Sequence, residues 1–425
     1  MTDRRRPLGQ AALVALVVGN MIGSGVFLLP ATLAPYGAAS LLGWAITLGG
    51  ALALAVVYAW LARAVPNHGG AYGYAHRAFG DGAGFTVAWS YWVCTWSANA
   101  AIAVAFAGSL GALWPPATAT PLRGATCALG ALWLCTAINL AGVREAARVQ
   151  LFTTLLKLVP LLLFGVLGLA SVRLAAFHPF NPSGLPLVGV TSATAALTLW
   201  AMLGFEAATV PTGVVRDPAR TVPRATVAGM LIAGVATMLA CTVVIGLLPG
   251  ERLAHSAAPM IEAASQTWGP LAGTALAAVA VVSCFGALNG WVLLQAQTPL
   301  PAARDGLFPA AFARVDARGT PVFGLLASSV LASVLIAANF TRSLVVLFTF
   351  SILLSTATTL LPYLMSVLGW WRIERTAGIA RRLVAATALA YAAWALVGTG
   401  LESLGWGAVL VAMGWPVYRW QRRRQ

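Results

Sequence analysis

Acidic residues and lysine are what this chain has least of. Eleven Asp and Glu and a single lysine, Lys157, stand among 425 residues, and charged residues make up only 9%. So little charge cannot solvate the surface of a globular protein of this length. Four histidines (His68, His76, His178, His255) and five cysteines (Cys94, Cys127, Cys135, Cys241, Cys284) fall at no metal-ligand spacing, so no metal centre is expected. G-x-S-x-G, P-loop and zinc motifs are absent, which leaves a membrane enzyme without a visible catalytic group. No long polar or low-complexity linker divides the chain, so one domain is expected.

What is present is apolar. Hydrophobic residues make up 60% and mean hydropathy is +0.84, which places the chain in a bilayer. Twelve spans of about 20 residues each fit. They are expected at 9–36, 39–63, 83–113, 124–141, 149–172, 187–213, 223–248, 268–300, 320–339, 343–370, 382–400 and 403–420. The first span lacks an A-x-A-like exit and is expected to remain in the mature chain. The segment Gly69 to Gly80 is too short to cross and reads as an interfacial or re-entrant helix.

The net charge of +15 raises the question of nucleic acid, and its distribution answers it. Twenty-one arginines fall before span one, after span twelve and in the loops on that same side, from Arg4–Arg6 to Arg422–Arg424. The other side carries four: Arg123, Arg173, Arg252 and Arg342. Both termini are therefore expected in the cytoplasm, with an even span count, a lipid partner and no nucleic acid.

Two interruptions carry the functional reading. Gly19-Asn20-Met21-Ile22-Gly23-Ser24-Gly25-Val26-Phe27 breaks the first span, and Gly204-Phe205-Glu206 breaks the sixth. Matched breaks in two halves mark a transporter's substrate site, because freed backbone groups survive in lipid only beside a polar cavity. The N–H groups near Gly23, Ser24 and Gly25 suit a carboxylate. Small-residue helix packing is the plainer alternative. Spans one to five (9–172) and six to ten (187–370) then form inverted repeats, with spans eleven and twelve (382–420) outside.

Glu206 is the one acid expected deep in a span, where it would bind a cation, carry a proton or brace a gate. Lys157 lies inside span five, either as an internal cation that titrates or replaces a sodium ion, or as a structural partner of backbone carbonyls. Tyr91, Trp92, Trp96, Trp200 and Trp291 also fall within spans. A ring facing a cavity can hold a cation, although core packing is each one's default role. Asn99, Asn289, Ser355 and Thr359 add polar groups inside spans.

The sequence resembles the amino acid–polyamine–organocation superfamily, and within it the bacterial basic amino acid/polyamine antiporters. The resemblance runs through GNMIGSGVFLLP (19–30), GGAYGYAHRAFG (69–80), TLWAMLGFEAATVPTGVVRDPARTVPRAT (198–226), GWVLLQAQ (290–297) and DGLFPAAFARVDARGTP (305–321). It implies an all-α fold of about twelve spans, a five-plus-five inverted repeat with discontinuous helices one and six, no cofactor, a homodimer and the bacterial cytoplasmic membrane. The implied activity is exchange of a cationic amino acid for its decarboxylated amine, arginine against agmatine first, in the service of acid resistance. Ile22, Gly23, Ser24 and Gly25 would hold the substrate carboxylate, and carbonyls near Trp200 and Leu203 the α-amino group. Trp291 would be a middle gate, with Trp200 stacked over the guanidinium. Asn99, Ser355 and Cys94 would line the far end, and Tyr91, Glu206 and Tyr363 would close the inner side. Cys94-Thr95 and Lys157 depart from the arginine/agmatine pattern. Lys157 keeps open a proton-coupled or facilitative amino acid permease. An amine-sensing receptor is a more distant reading, disfavoured by the lack of a signalling domain.

Overall fold

The computed structural model describes residues 9–65, 70–206, 217–338 and 343–423. Several residues read above lie outside these ranges: Arg4 to Arg6, His68, Gly69, Arg216, Arg342, Arg424 and positions 207–213 of span six. Among the described residues the secondary structure is helical throughout, without strands. Lipid imposes this, since a helix satisfies its own backbone groups.

The expected first span is two helices, α1 (Gln10–Met21) and α2 (Ser24–Leu33), and α3 (Ser40–Ala64) is the second. The short α4 (Gly70–Phe79) precedes α5 (Asp81–Leu113), the third span, which is buried along most of its 33 residues. α6 (Pro121–Ala141) and α7 (Val143–Leu169) complete the first half. The second half opens with α8 (Leu187–Trp200), followed by α9 (Pro218–Leu247), short α10 (Gly250–His255) and α11 (Pro259–Trp268). Next come α12 (Pro270–Gln297), short α13 (Leu300–Arg304), α14 (Val322–Ala338) and α15 (Leu344–Ile373). α16 (Ile379–Gly398), α17 (Gly400–Ala412) and α18 (Gly414–Arg422) close the chain.

Among the described residues seven helical segments are long and apolar enough to cross a bilayer; the first, Leu13–Ala64, holds the expected spans one and two together. Three shorter apolar helices match spans five, six and nine: Leu156–Leu169, Leu187–Trp200 and Val322–Ala338.

Most boundaries differ from the sequence reading by a few residues. Span eight begins at Pro270 rather than 268, because Gly269 adopts φ 91° and ends α11 there. Span twelve is two helices that meet at Met413.

α5 packs against both α12 and α15, while α1 and α3 pack on α9. Large apolar side chains cover the outside, among them Leu122, Val166, Leu271 and Leu401. That exposed apolar belt is the counterpart of a lipid solvent.

Candidate functional site

The site begins where the helices stop. α1 ends at Met21; Ile22 is extended and its N–H bonds to the Val18 carbonyl. Helix resumes at Ser24, so the break is two residues wide, narrower than the nine-residue stretch that flagged it. Gly23 and Gly25 share a requirement for closeness. A Cβ on Gly23 would lie 2.6 Å from Ala287 Cβ of α12, and one on Gly25 would lie 3.2 Å from Trp200 Cδ1. No side-chain cap serves the N-terminus of α2, so its first N–H groups have no helical acceptor.

The second break is built differently. α8 ends at Trp200, and the chain turns tightly, with Leu203 N–H on the carbonyls of Leu199 and Trp200 at 3.1 and 3.2 Å. Gly204 adopts φ 106°, a conformation a side chain would strain. A Cβ at Gly204 would meet Asn20 Cβ at 3.1 Å.

The two breaks, far apart in sequence, thus touch. Gly204 lies on Asn20 and Gly25 on Trp200. The N-terminus of α2 meets the C-terminus of α8, a positive and a negative helix terminus side by side. Such a pair of termini complements a zwitterion, with a carboxylate on α2 and an ammonium on α8.

Around the breaks, other side chains take up the carbonyls that α1 leaves open. Lys157, fully buried, donates from Nζ to the Gly19 carbonyl at 2.5 Å. Trp291 Nε1 donates to the Asn20 carbonyl at 3.2 Å. Both contacts tie the last turn of α1 to another helix, α7 in one case and α12 in the other.

Trp291 also faces Trp200, with ring centroids 6.3 Å apart and planes 24° from parallel, and Phe348 meets Trp200 edge-on. A guanidinium between two rings needs about twice the ~3.5 Å contact distance. The rings therefore part before a cation can lie between them. One helical turn beyond this layer, on the α2 side, a cavity of about 230 Å³ is lined by Thr32, Tyr36, Leu197, Val345, Thr349 and Leu353.

On the other side of the breaks Glu206 collects donors. Tyr91 Oη donates to Oε1 at 2.6 Å, Tyr363 Oη to Oε2 at 3.0 Å, and the Gly204 N–H to Oε2 at 3.1 Å. Tyr58 packs edge-on to Tyr363 and Phe205 and bonds Ser366 at 3.1 Å. This joins α3, α5, α15 and the second break. Both carboxylate oxygens of Glu206 accept from neighbours, which is what an acid needs inside an apolar bundle.

Asn99 and the Cys94–Ser355 pair are placed less simply than expected. Asn99 Nδ2 donates to Gln295 Oε1 at 2.7 Å, while its Oδ1 is buried and unpartnered among the described residues. Ser355 Oγ lies 3.2 Å from both the sulfur and the carbonyl oxygen of Cys94, and Thr359 also bonds that sulfur. Side-chain type identified these groups, but not their mutual bonding. Sequence reasoning passed over Gln295, Phe348, Ala287 and the Asn20 carbonyl. Gln295 alone had a visible signal, a polar side chain inside an apolar span.

Among the described residues no three His, Cys, Asp or Glu side chains are grouped to hold a metal. Two touching helix breaks in an apolar bundle are the architecture of a solute carrier. Residues 8–415 match a family model described as amino acid permease. The chain belongs to that family.

Within it, the permease stands among the basic amino acid/polyamine antiporters. It is 32% identical to the putrescine transporter PotE of Escherichia coli (strain K12), over 97% of this chain and 95% of that one. It is also 32% identical to a putative arginine/ornithine antiporter of Bacillus subtilis (strain 168), covering 86% of this chain and 84% of that protein. The cadaverine/lysine antiporter of Escherichia coli (strain K12) is 33% identical, covering 76% and 73%. Membership brings the LeuT-like fold, with its five-plus-five inverted repeat and discontinuous helices one and six, and makes the permease a multi-pass membrane protein.

Proposed function

We propose that this permease is an antiporter that exchanges a cationic amino acid for its decarboxylated amine across the bacterial cytoplasmic membrane, with both termini inside. The observation that carries the reading is the contact between the N-terminus of α2 and the C-terminus of α8. That pair of termini fits the α-carboxylate and α-amino group of an amino acid, and the second fits an amine lacking the carboxylate. The names of the relatives, which give putrescine alone, arginine with ornithine, and cadaverine with lysine, support the same substrate class.

In this reading residues 9–172 and 187–370 are the two repeats, 382–420 lies outside them, and the protein works as a dimer. Ile22 to Gly25 take the carboxylate, and carbonyls at Trp200 and Leu203 the ammonium. Trp291 is the middle gate, Trp200 the outer one, and Tyr91, Glu206 and Tyr363 the inner one. Asn99, through its open Oδ1, receives the donor at the far end of the substrate, beside Cys94 and Ser355.

Arginine and agmatine are the pair we put first, because the flat faces of Trp200 and Trp291 favour a planar guanidinium over a compact ammonium. Trading a monovalent amino acid for a divalent amine exports positive charge, which serves a cell in acid. The deciding test is radiolabelled arginine uptake into proteoliposomes loaded with agmatine, putrescine, cadaverine or nothing. Uptake driven by agmatine above the diamines supports the pair, whereas preference for a diamine moves the assignment to ornithine or lysine exchange.

Lys157 supports a second reading. In it the Lys157 ammonium, bonded to the Gly19 carbonyl in the last turn of α1, would act as the coupling cation. A proton-coupled or facilitative permease would take up amino acid into empty vesicles under an inward proton gradient.

A further inference from the structure

A groove lies away from the substrate path, at the arginine-rich end of the bundle. Its cavity of about 520 Å³ is walled by α3 and α9 and closed at one end by Gln10, the first residue of α1. Arg63 and Arg224 line its rim, and both are exposed. Trp60 lines it as well, with the Arg381 guanidinium 5.7 Å from its ring centroid. Below the arginines the lining turns apolar: Val56 and Ala59 on α3; Val227, Ala228 and Leu231 on α9. The α9 stripe continues outward through Ile232 and Val235, both exposed to the bilayer.

Charge and depth match one chemical class. Two guanidiniums at the rim call for a phosphate, which they can bind through paired N–H donors. An apolar floor running along two helices toward the membrane centre calls for hydrocarbon. An indole at the junction belongs at headgroup level. Among the described residues Arg224 has no carboxylate partner, while its neighbour Arg220 lies 3.9 Å from Asp217. A soluble phosphate would satisfy the rim and leave the floor wet. A zwitterionic lipid would satisfy the floor and set its own cation against the arginines.

We propose that this groove is a binding site for an anionic glycerophospholipid of the cytoplasmic leaflet, with its phosphate between Arg63 and Arg224 and an acyl chain along Val56, Val227 and Leu231. The site also adjoins the broken first helix. α9 meets α1 so closely that a Cβ on Gly229, beside Ala228 of the groove, would lie 2.6 Å from Val17. A lipid seated between α3 and α9 therefore braces the inner half of the broken first helix.

Native mass spectrometry of the full-length protein, released from mixed phosphatidylglycerol/phosphatidylcholine micelles, tests the assignment without reference to transport. Wild-type protein should retain phosphatidylglycerol in preference to phosphatidylcholine. The Arg63→Gln/Arg224→Gln double variant should lose about fivefold in affinity per arginine, roughly 25-fold together, from about 1 kcal/mol per charge at an anionic surface. Arg63→Lys/Arg224→Lys should keep most of the binding, which separates lost charge from lost folding. Arg314→Gln/Arg318→Gln, at the same arginine-rich end of the bundle but outside the groove, should bind as wild type. Equal retention of both lipids, or the same loss in the Arg314/Arg318 control, overturns the proposal. So does displacement of the lipid by glycerol 3-phosphate at millimolar concentration, which would mean that the floor adds nothing.

Discussion

Replacing Gly23 by alanine adds one methyl group where the first break lies close against α12. That methyl would sit 2.6 Å from Ala287 Cβ, about 1 Å inside normal carbon–carbon contact. Neither atom is the end of a flexible side chain, so the helices must separate, and overpacking of this kind costs about 1–3 kcal/mol. Ala287 is one turn before Trp291, whose indole bonds the Asn20 carbonyl, so displacing α12 pulls on the same break. If the strain falls on the exchange-competent arrangement, arginine/agmatine exchange in proteoliposomes drops roughly 5- to 150-fold, the kinetic equivalent of that range. Ala287→Gly removes the opposing methyl and restores the gap. The double variant Gly23→Ala/Ala287→Gly should therefore recover most of the exchange, with a coupling energy of about 1 kcal/mol or more. Thermal unfolding in detergent, measured alongside, separates a damaged fold from a damaged cycle. Wild-type exchange in Gly23→Ala, or no rescue by Ala287→Gly, would refute the close approach as the reason for glycine here.

Other tests bear on the gates and on the buried cation. Tyr363→Phe removes one donor from the Glu206 carboxylate and should cost about 1.5–3 kcal/mol, read as a lower unfolding temperature and faster leak of loaded amine. Glu206→Gln replaces one accepting oxygen of the group that Tyr91, Tyr363 and the Gly204 N–H share, so the unfolding temperature should fall; unfolding at wild-type temperature would show that the carboxylate is not what they hold. Trp200→Ala should raise the KM for arginine far more than Trp200→Phe, and equal effects would remove the ring from the binding site. Wild-type protein should take up no arginine into empty vesicles under an inward proton gradient. Uptake there, lost in Lys157→Ala, would replace exchange with the permease reading.

The membrane class, the order of the apolar spans and the places where two helices break are written in the sequence. Each follows from one-dimensional properties: apolar run length and glycines inside hydrophobic stretches. Glu206 and Lys157 were legible for the same reason, since an ionisable group within an apolar run has no cheap alternative to a buried partner. The partners themselves were not legible. Nothing in the chain around Lys157 names Gly19, 138 residues away, and nothing around Tyr91 names Glu206. Ala287 and Phe348 looked like ordinary span residues, because their role comes from what lies across a helix interface. The tertiary structure decided that the two breaks touch, that Asn99 shares its amide with Gln295, and that Arg63 and Arg224 flank one groove. Span-forming patterns are local and repeat within a helix, whereas a site is made where unlike helices cross, and only packing fixes those crossings.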